Sequence, residues 1–125
     1  DAERIGDYNK SLLYLSKWRT DTFSQHAQVQ ACGHVRDMIS PMFEQALKAI
    51  QEGDAEEARS VMAQSSTVKD KTQEIQDALL QQAKGGCEDV VCSSCAQYLR
   101  RISAHLSNIA SSVANPFDLL GQNTP

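Results

Sequence analysis

Residues 42–61 read MFEQALKAIQEGDAEEARSV and hold the end of one helix, a tight turn and the start of the next. Apolar residues recur with helical spacing before the turn, and Ala58 and Val61 continue that pattern after it. Gly53 predicts a C-terminal cap, because glycine adopts the left-handed conformation without a steric penalty. Asp54 then predicts the start of a helix, with Glu57 three residues on in capping-box spacing. The segment therefore predicts two helices joined by a two-residue turn.

Apolar stripes on either side extend this reading to four helices. The first is predicted from Ala2 to about Phe23, with a buried face of Ile5, Tyr8, Leu12, Leu15, Trp18 and Phe23. The second is predicted from about His26 to Glu52, with Val29, Cys32, Val35, Ile39, Met42, Ala46, Leu47 and Ile50 inward. Pro41 lies in its middle and predicts a kink, since the stripe stays in phase on both sides.

The third helix is predicted from Asp54 to about Lys84, where Gly85 and Gly86 end it; its stripe is Ala58, Val61, Val68, Ile75 and Leu79. The fourth is predicted from about Glu88 to Ala114, with Val91, Cys95, Leu99, Ile102, Leu106, Ile109 and Val113 inward. Pro116 disfavours a helical Asn115, so residues 115–125 are expected to form a C-terminal tail. The fold class is all-α: an antiparallel up-and-down four-helix bundle, with residues 1–125 as a single domain.

Composition and charge exclude several classes of function. The net charge is −4 and the twelve Lys and Arg are scattered, so a nucleic-acid partner is not expected. No apolar run reaches the roughly 18 residues of a membrane span, and no signal peptide opens the chain, so direct membrane insertion is not expected. Four cysteines are too few for a disulfide scaffold of this length, which favours a reducing compartment.

A short motif occurs twice. Residues 3–8 (ERIGDY) and 100–105 (RRISAH) share Arg-Ile 97 positions apart, and Tyr8 pairs with His105. Gly6 and Ser103 are the matching small residues, which suit a close approach of two helices.

These residues resemble the PhoU family of phosphate-uptake regulators. Asp1 to Asp7 is similar to the family signature Leu-Glu-Arg-Ile-Gly-Asp-His, and residues 99–110 (LRRISAHLSNIA) resemble the same signature with substitutions. Residues 42–61 look like the family's first helix, Gly-Asp turn and second helix. The resemblance implies a three-helix repeat preceded by the last helix of another repeat. Because the chain begins at Asp1 without Met, inside a predicted helix, we expect a fragment of a longer protein.

The resemblance implies regulation and not catalysis, so no enzyme is expected. PhoU-like domains occur as free-standing regulators and as C-terminal domains of bacterial sodium/phosphate cotransporters. The expected function is a soluble cytoplasmic regulatory domain of a sodium-dependent phosphate transporter, tethered to the inner membrane through the rest of the chain. Its expected partners are the transporter's membrane domain or a signalling protein, and a homodimer is a further expectation. A free-standing regulator and a plain structural bundle remain alternatives.

The resemblance also implies metal binding by Glu-x-x-x-Asp pairs. Glu3 and Asp7 keep that spacing, and residues four apart on a helix project side by side. The matching positions in the second motif are Arg100 and Ala104, which cannot ligate a cation. Arg100 could instead form a salt bridge with Glu3, and a solvated acidic turn is the simpler alternative.

Three cysteines near the start of the fourth helix offer another candidate site. Cys87, Cys92 and Cys95 have Cys-x4-Cys-x2-Cys spacing, and Cys92 and Cys95 share a helix face that could hold a metal or form a redox pair. A fourth ligand would have to come from Cys32 or a histidine of another helix. A metal- or redox-responsive bundle is therefore a further alternative, against buried thiols that only fill the core. No nucleophile pairs with His26, His34 or His105, and no phosphate-binding loop is present, so no catalytic residue or cofactor is assigned.

Overall fold

The computed structural model describes residues 2–18, 25–82 and 85–114. The regular secondary structure among these residues is all helical, with no strand. The elements are α1 (Ala2–Leu15), a 3-10 turn (Ser16–Trp18), α2 (Ala27–Glu52), α3 (Ala55–Gln81) and α4 (Cys87–Ala114). Helix α4 packs against α1, α2 and α3, and α2 also packs against α3. The prediction of an all-helical chain with four packed helices is confirmed.

The turn between α2 and α3 forms as its sequence predicts. Gly53 has φ of 63°, in the left-handed region, and its N–H donates to the Ala49 carbonyl. The Asp54 carboxylate accepts hydrogen bonds from the backbone N–H groups of Glu56 and Glu57 at 3.0 and 3.1 Å. The reciprocal half of the capping box is not used, because the Asp54 N–H donates to the Ala49 carbonyl. Glu57 lies instead 3.6 Å from the Lys48 ammonium.

Helix boundaries differ from the predictions mainly at two places. The α-helical part of α1 ends at Leu15 and tightens into the 3-10 turn; the rest of the predicted first helix, residues 19–23, lies outside the described residues. Helix α3 ends at Gln81, before the predicted end near Lys84, so the diglycine does not set its end. Helix α2 runs through Pro41 without a stop, as predicted, because that proline lies on its exposed side. The predicted 115–125 tail is outside the described residues.

The core lies around α4. The buried apolar residues of the other helices meet it, and they are Ile5, Cys32, Val35, Ile39, Met42, Ala46, Ala49, Ala58, Val61, Val68, Ile75 and Leu79. From α4 come Cys92, Ala96, Leu99, Ile102, Leu106 and Ala110. Thr72, which the apolar pattern passes over, is also buried, because its hydroxyl donates to the Val68 carbonyl at 2.9 Å.

Three residues predicted to face the core are substantially exposed. Trp18 is 51% exposed, Leu47 is 54% exposed and Ile50 is 49% exposed. In α2 the face toward the bundle is completed by Ala46 and Ala49, which continue the three- and four-residue steps of the buried stripe. Leu47 and Ile50 each lie one position further along the chain, about 100° around the helix, and so point away from the core.

Replacing Asp54 by Ala should lower the free energy of unfolding by about 1 kcal/mol, because two backbone N–H groups lose their acceptor. Chemical denaturation followed by circular dichroism measures this loss. Asp70→Ala is the control, since Asp70 is exposed within the same helix, and it should change stability by no more than about 0.5 kcal/mol. Equal losses for the two variants would contradict the capping role.

Candidate functional site

The two copies of the repeated motif meet at the contact between α1 and α4. The ring of Tyr8 stacks on that of His105, with centroids 5.8 Å apart and planes 26° apart. The ring centroid of Tyr98 is 5.9 Å from that of Tyr8. Tyr8 and His105 hold matching positions in the two motifs, so the motif helices cross at equivalent residues. The repeat seen in the sequence thus corresponds to a direct contact between its copies.

The small residues of the two motifs do not play equal roles. Ser103 is buried, and its backbone carbonyl accepts a hydrogen bond from the Ser65 hydroxyl of α3 at 3.2 Å. Gly6 is exposed, and a Cβ added there would meet no atom within 4 Å. The expected close approach of helices therefore occurs at Ser103 and not at Gly6.

The Glu3–Asp7 pair lies on the exposed side of α1. The matching positions on α4 carry Arg100 and Ala104, so the donor set holds only two carboxylates. A hard cation such as Ca²⁺ takes six to eight oxygen ligands. Across residues 2–18, 25–82 and 85–114 no group of three or more His, Cys, Asp or Glu side chains is arranged to hold a metal ion. The residues present do not fit the family's metal cluster, and binding at Glu3 and Asp7 stays a prediction.

The alternative of a salt bridge between Arg100 and Glu3 is not realised in the structure. The ion pairs within 4.0 Å among the described residues join other partners, such as His26 with Asp89 and Lys48 with Glu57. With both carboxylates exposed, solvent screens their charge, so a distant cation gains little by pairing with them.

Cys32 of α2 meets Cys92 and Cys95 of α4, and we call these three residues the thiol cluster. The Sγ atoms of Cys32 and Cys92 are 3.6 Å apart, and the Cys32 thiol is 3.8 Å from the Cys92 carbonyl oxygen. Cys95 lines the same cavity as Cys32 and Cys92. All the cysteines are free thiols. The sequence reading foresaw Cys32 only as a possible fourth ligand, because its place beside α4 depends on helix packing.

The local environment separates the acidities of two thiols in this cluster. Hydrogen bonding to Cys92 and Cys95, together with burial, raises the pKa of the Cys32 thiol. The hydrogen bond from Cys32 lowers the pKa of the Cys95 thiol, against burial, which raises it; the nearby Arg36 guanidinium adds to the lowering. Of Cys32 and Cys95, Cys95 is thus the sulfur that accommodates negative charge better.

Cys87 is not part of this cluster. It is exposed at the first residue of α4 and lines a different cavity, together with His26 and Asp89. Its separation from Cys92 is five residues, which is about 7.5 Å of helical rise. The Cys-x4-Cys-x2-Cys spacing therefore does not describe one site. Metal binding by Cys92 and Cys95 remains a prediction.

His26 has a structural role that the sequence reading missed. Its Nδ1 accepts the Gln28 N–H at 3.1 Å and caps α2, while Nε2 lies 2.9 Å from the Asp89 carboxylate. A neutral imidazole with its proton on Nε2 satisfies both bonds. The pair ties the starts of α2 and α4 together. A histidine three residues before the first residue of an apolar stripe, Val29, is the signal that could have found this cap.

An exposed apolar face lies beside the motif helices. Phe43, Leu47 and Ile50 follow one another at steps of four and three along α2 and line a cavity of about 430 Å³. The other apolar residues lining it come from α1, α2 and α4, and they are Ala2, Ile5, Ala46, Leu106 and Ile109. Glu44 is the charged residue at its edge. We call Phe43, Leu47 and Ile50 the docking face, since exposed apolar groups gathered in one patch commonly mark an interaction site.

The fold and the sites described above define the class of protein: a helical domain whose candidate sites are an apolar face and a thiol cluster. The PhoU domain family matches residues 33–113, more than half of the chain. The chain therefore belongs to the PhoU family, whose role is regulation in phosphate homeostasis. No curated relative and no solved structure matches it significantly. Residues 1–7, which carry the first motif, lie outside the matched range.

None of the described helices combines the length and apolar character needed to cross a bilayer.

The environment of His105, which stacks on Tyr8, should make folding stability depend on pH. Burial, with the positive charges of Arg4 and Arg101 nearby, lowers the pKa of His105 below its ordinary 6.5. The unfolded state therefore binds a proton more readily, and stability is full above about pH 6.5 and falls as the pH drops toward the folded-state value.

NMR titration of His105 should give a pKa below 6.5, and Arg101→Gln should raise it. In His105→Gln, the difference in free energy of unfolding between pH 7 and pH 5, measured by denaturation, should be smaller than in the parent chain. His34→Gln is the matched control, because His34 is exposed on α2. A pKa at or above 6.5 for His105 would contradict the prediction.

Proposed function

We propose that the chain is the soluble regulatory domain of a sodium-dependent phosphate transporter, and that it acts through protein–protein contacts made by the docking face. The observation that supports this most directly is the apolar face, set within residues that match a family of phosphate regulators. In this proposal the domain is cytoplasmic and is held at the inner membrane by the rest of the protein. The partner is the transporter's membrane domain or a signalling protein.

The composition of the docking face supports a macromolecular partner. Its cavity is shallow and almost wholly apolar, with few groups that could orient a small polar ligand such as phosphate. Leu47 and Ile50 keep about half of their surface in solvent, and their burial against a partner would add favourable hydrophobic free energy. Phosphate itself would find no cluster of basic groups there.

The transporter-linked form is favoured over the free-standing regulator by the departure of the second motif from the family signature. Arg100 and Ala104 replace the carboxylates expected there, so the family's metal chemistry has no complete donor set on the described residues.

The up-and-down arrangement of the helices belongs to the same proposal. Cross-helix pairs support it: Lys48 with Glu57, and Gln45 with Gln64, lie at increasing distance from the α2–α3 turn. Between α3 and α4, Gln76 pairs with Ser93 and Ser65 with Ser103, so residue numbers fall along one helix as they rise along the other. Both patterns are those of antiparallel neighbours.

A redox-responsive bundle is the second candidate function, favoured by the 3.6 Å contact between the sulfurs of Cys32 and Cys92. The sequence-based hypothesis used Cys87, Cys92 and Cys95, whereas this candidate function uses the thiol cluster, in which Cys32 takes the place of Cys87.

Determination of the reading frame upstream of Asp1 tests the transporter assignment. We expect several apolar spans of about 20 residues each. A soluble upstream segment carrying another PhoU-like repeat would contradict the assignment and support a free-standing regulator instead.

Substitutions on the docking face test the mode of action in the complete protein. Leu47→Asp and Ile50→Asp should abolish most of the fall in phosphate uptake that follows growth in abundant phosphate, measured with radiolabelled phosphate. The fold should persist, because both side chains are largely exposed. Leu80→Asp is the matched control, since Leu80 is 77% exposed on α3 and away from the face. Equal effects at positions 47 and 80 would contradict a specific docking role.

A further inference from the structure

The thiol cluster combines buried and accessible sulfurs in one contact. Cys32 is 5% exposed and Cys92 is 1% exposed, whereas Cys95 is only partly buried. All three line a cavity of about 270 Å³ that opens to the surface. Leu12, Val29 and Leu99 give this cavity apolar walls, and Arg36 stands at its edge as the charged residue. A small oxidant can therefore reach Cys95 from solvent.

The geometry across the α2–α4 interface suits a covalent bond between sulfurs. A disulfide needs its sulfurs at about 2.05 Å, and Cβ atoms about 3.8 Å apart. The sulfurs of Cys32 and Cys92 are 3.6 Å apart, and Cys95 lines the same cavity as both, so a small change of side-chain rotamer brings Cys32 to bonding distance of an α4 sulfur. Cys92 and Cys95 share one helix and one face, three residues apart, and so present their sulfurs to the same partner.

We propose that the cluster is an oxidation site at which a hydroperoxide converts Cys95 and Cys32 into a disulfide that links α4 to α2. Cys95 is the entry sulfur because it is the most accessible of the three. Cys32 is the resolving thiol because it lines the same cavity as Cys95 and comes from the neighbouring helix. The observations behind this modification are separate from those behind the proposed transporter role and the docking face.

The chemistry takes two steps, and hydrogen peroxide is the oxidant. The Cys95 thiolate attacks one peroxide oxygen: an S–O bond forms, the O–O bond breaks, and hydroxide leaves and takes up a proton to become water. The resulting sulfenic acid is attacked by Cys32: an S–S bond forms, the S–O bond breaks, and the departing hydroxide combines with the thiol proton as water. In total two thiols and one peroxide give one disulfide and two water molecules.

Mass spectrometry of the whole chain tests the proposal. Treatment with a stoichiometric amount of hydrogen peroxide should reduce the thiols titrated under denaturing conditions from four to two. Trypsin leaves Cys32 within residues 20–36 and the other three cysteines within 85–100, so the disulfide joins these two peptides. Additional cleavage after Glu88 separates Cys87 from Cys92 and Cys95, and fragmentation then assigns the link to position 95.

Matched variants distinguish the sulfur that is oxidised first, the thiol that then forms the disulfide, and oxidation of a cysteine outside the cluster. Cys95→Ser should abolish the link between the peptides, and Cys32→Ser should leave a Cys95 sulfenic acid that dimedone traps. Cys87→Ser should behave as the parent chain, since Cys87 lines another cavity. Circular dichroism confirms that each variant is folded, and dimedone labelling of Cys32→Ser gives a readout that does not need the crosslink.

Three outcomes would overturn the proposal: no crosslink in folded parent protein, a crosslink from Cys32 to Cys87 or Cys92 only, or an unchanged crosslink in Cys95→Ser. A link between Cys32 and Cys95 that Cys87→Ser preserves would establish it.

Discussion

The close packing of α4 against the other three helices is the constraint on which the structure depends. Ala96, Ser103 and Ala110 recur every seven residues along α4 and are almost wholly buried. A small side chain lets a neighbouring helix approach closely, and the Ser65 hydroxyl reaches the Ser103 backbone carbonyl at such a place. Larger residues between them, such as Leu99 and Ile102, fill the space on either side. A bulky group at any of these positions would separate α4 from a neighbour and weaken the bundle.

The same preference for small residues in the core explains the docking face. Ala46 and Ala49 complete the inner face of α2 and allow a neighbouring helix to approach closely, while Leu47 and Ile50 lie one position further around the helix and face outward. The large side chains are displaced to the outer edge, next to Ile5 and Ile109. An apolar surface is thus a consequence of how α2 meets α4, and its exposure costs hydrophobic free energy that a partner would recover.

Much of the fold follows from local patterns. The Gly53–Asp54 turn has chemistry that only one backbone geometry satisfies, so its prediction needs no knowledge of the rest of the chain. Helix α4 has a long, regular stripe and is also predictable within a residue or two. The ends of α1 and α3 are less predictable from the sequence, because tertiary contacts decide where a helix without a strong cap ends.

The candidate sites were less accessible to sequence reasoning, because they depend on which helices are neighbours. The Cys-x4-Cys-x2-Cys spacing groups Cys87 with Cys92 and Cys95, but the residue that joins the latter two is Cys32, sixty positions before Cys92. Likewise, Leu47 and Ile50 fit a broad apolar stripe, and only the rotation of α2 in the bundle shows that they point outward. The Tyr8–His105 stack is an intermediate case, since the repeat predicts that the two positions are equivalent but not that they touch.

Helix α1 connects the two candidate sites. Ile5 lines the cavity at the docking face, and Leu12, seven residues and about 10.5 Å of helical rise further on, lines the cavity of the thiol cluster. Only Ile5 is fully buried among the residues of α1, so this helix has the least apolar anchoring of the four. Elements with few buried contacts open at lower free energy than the rest of a domain. A disulfide in the cavity that Leu12 lines would therefore act on α1, the helix that resists displacement least. Helix α1 also forms one wall of the cavity at the docking face, through Ile5.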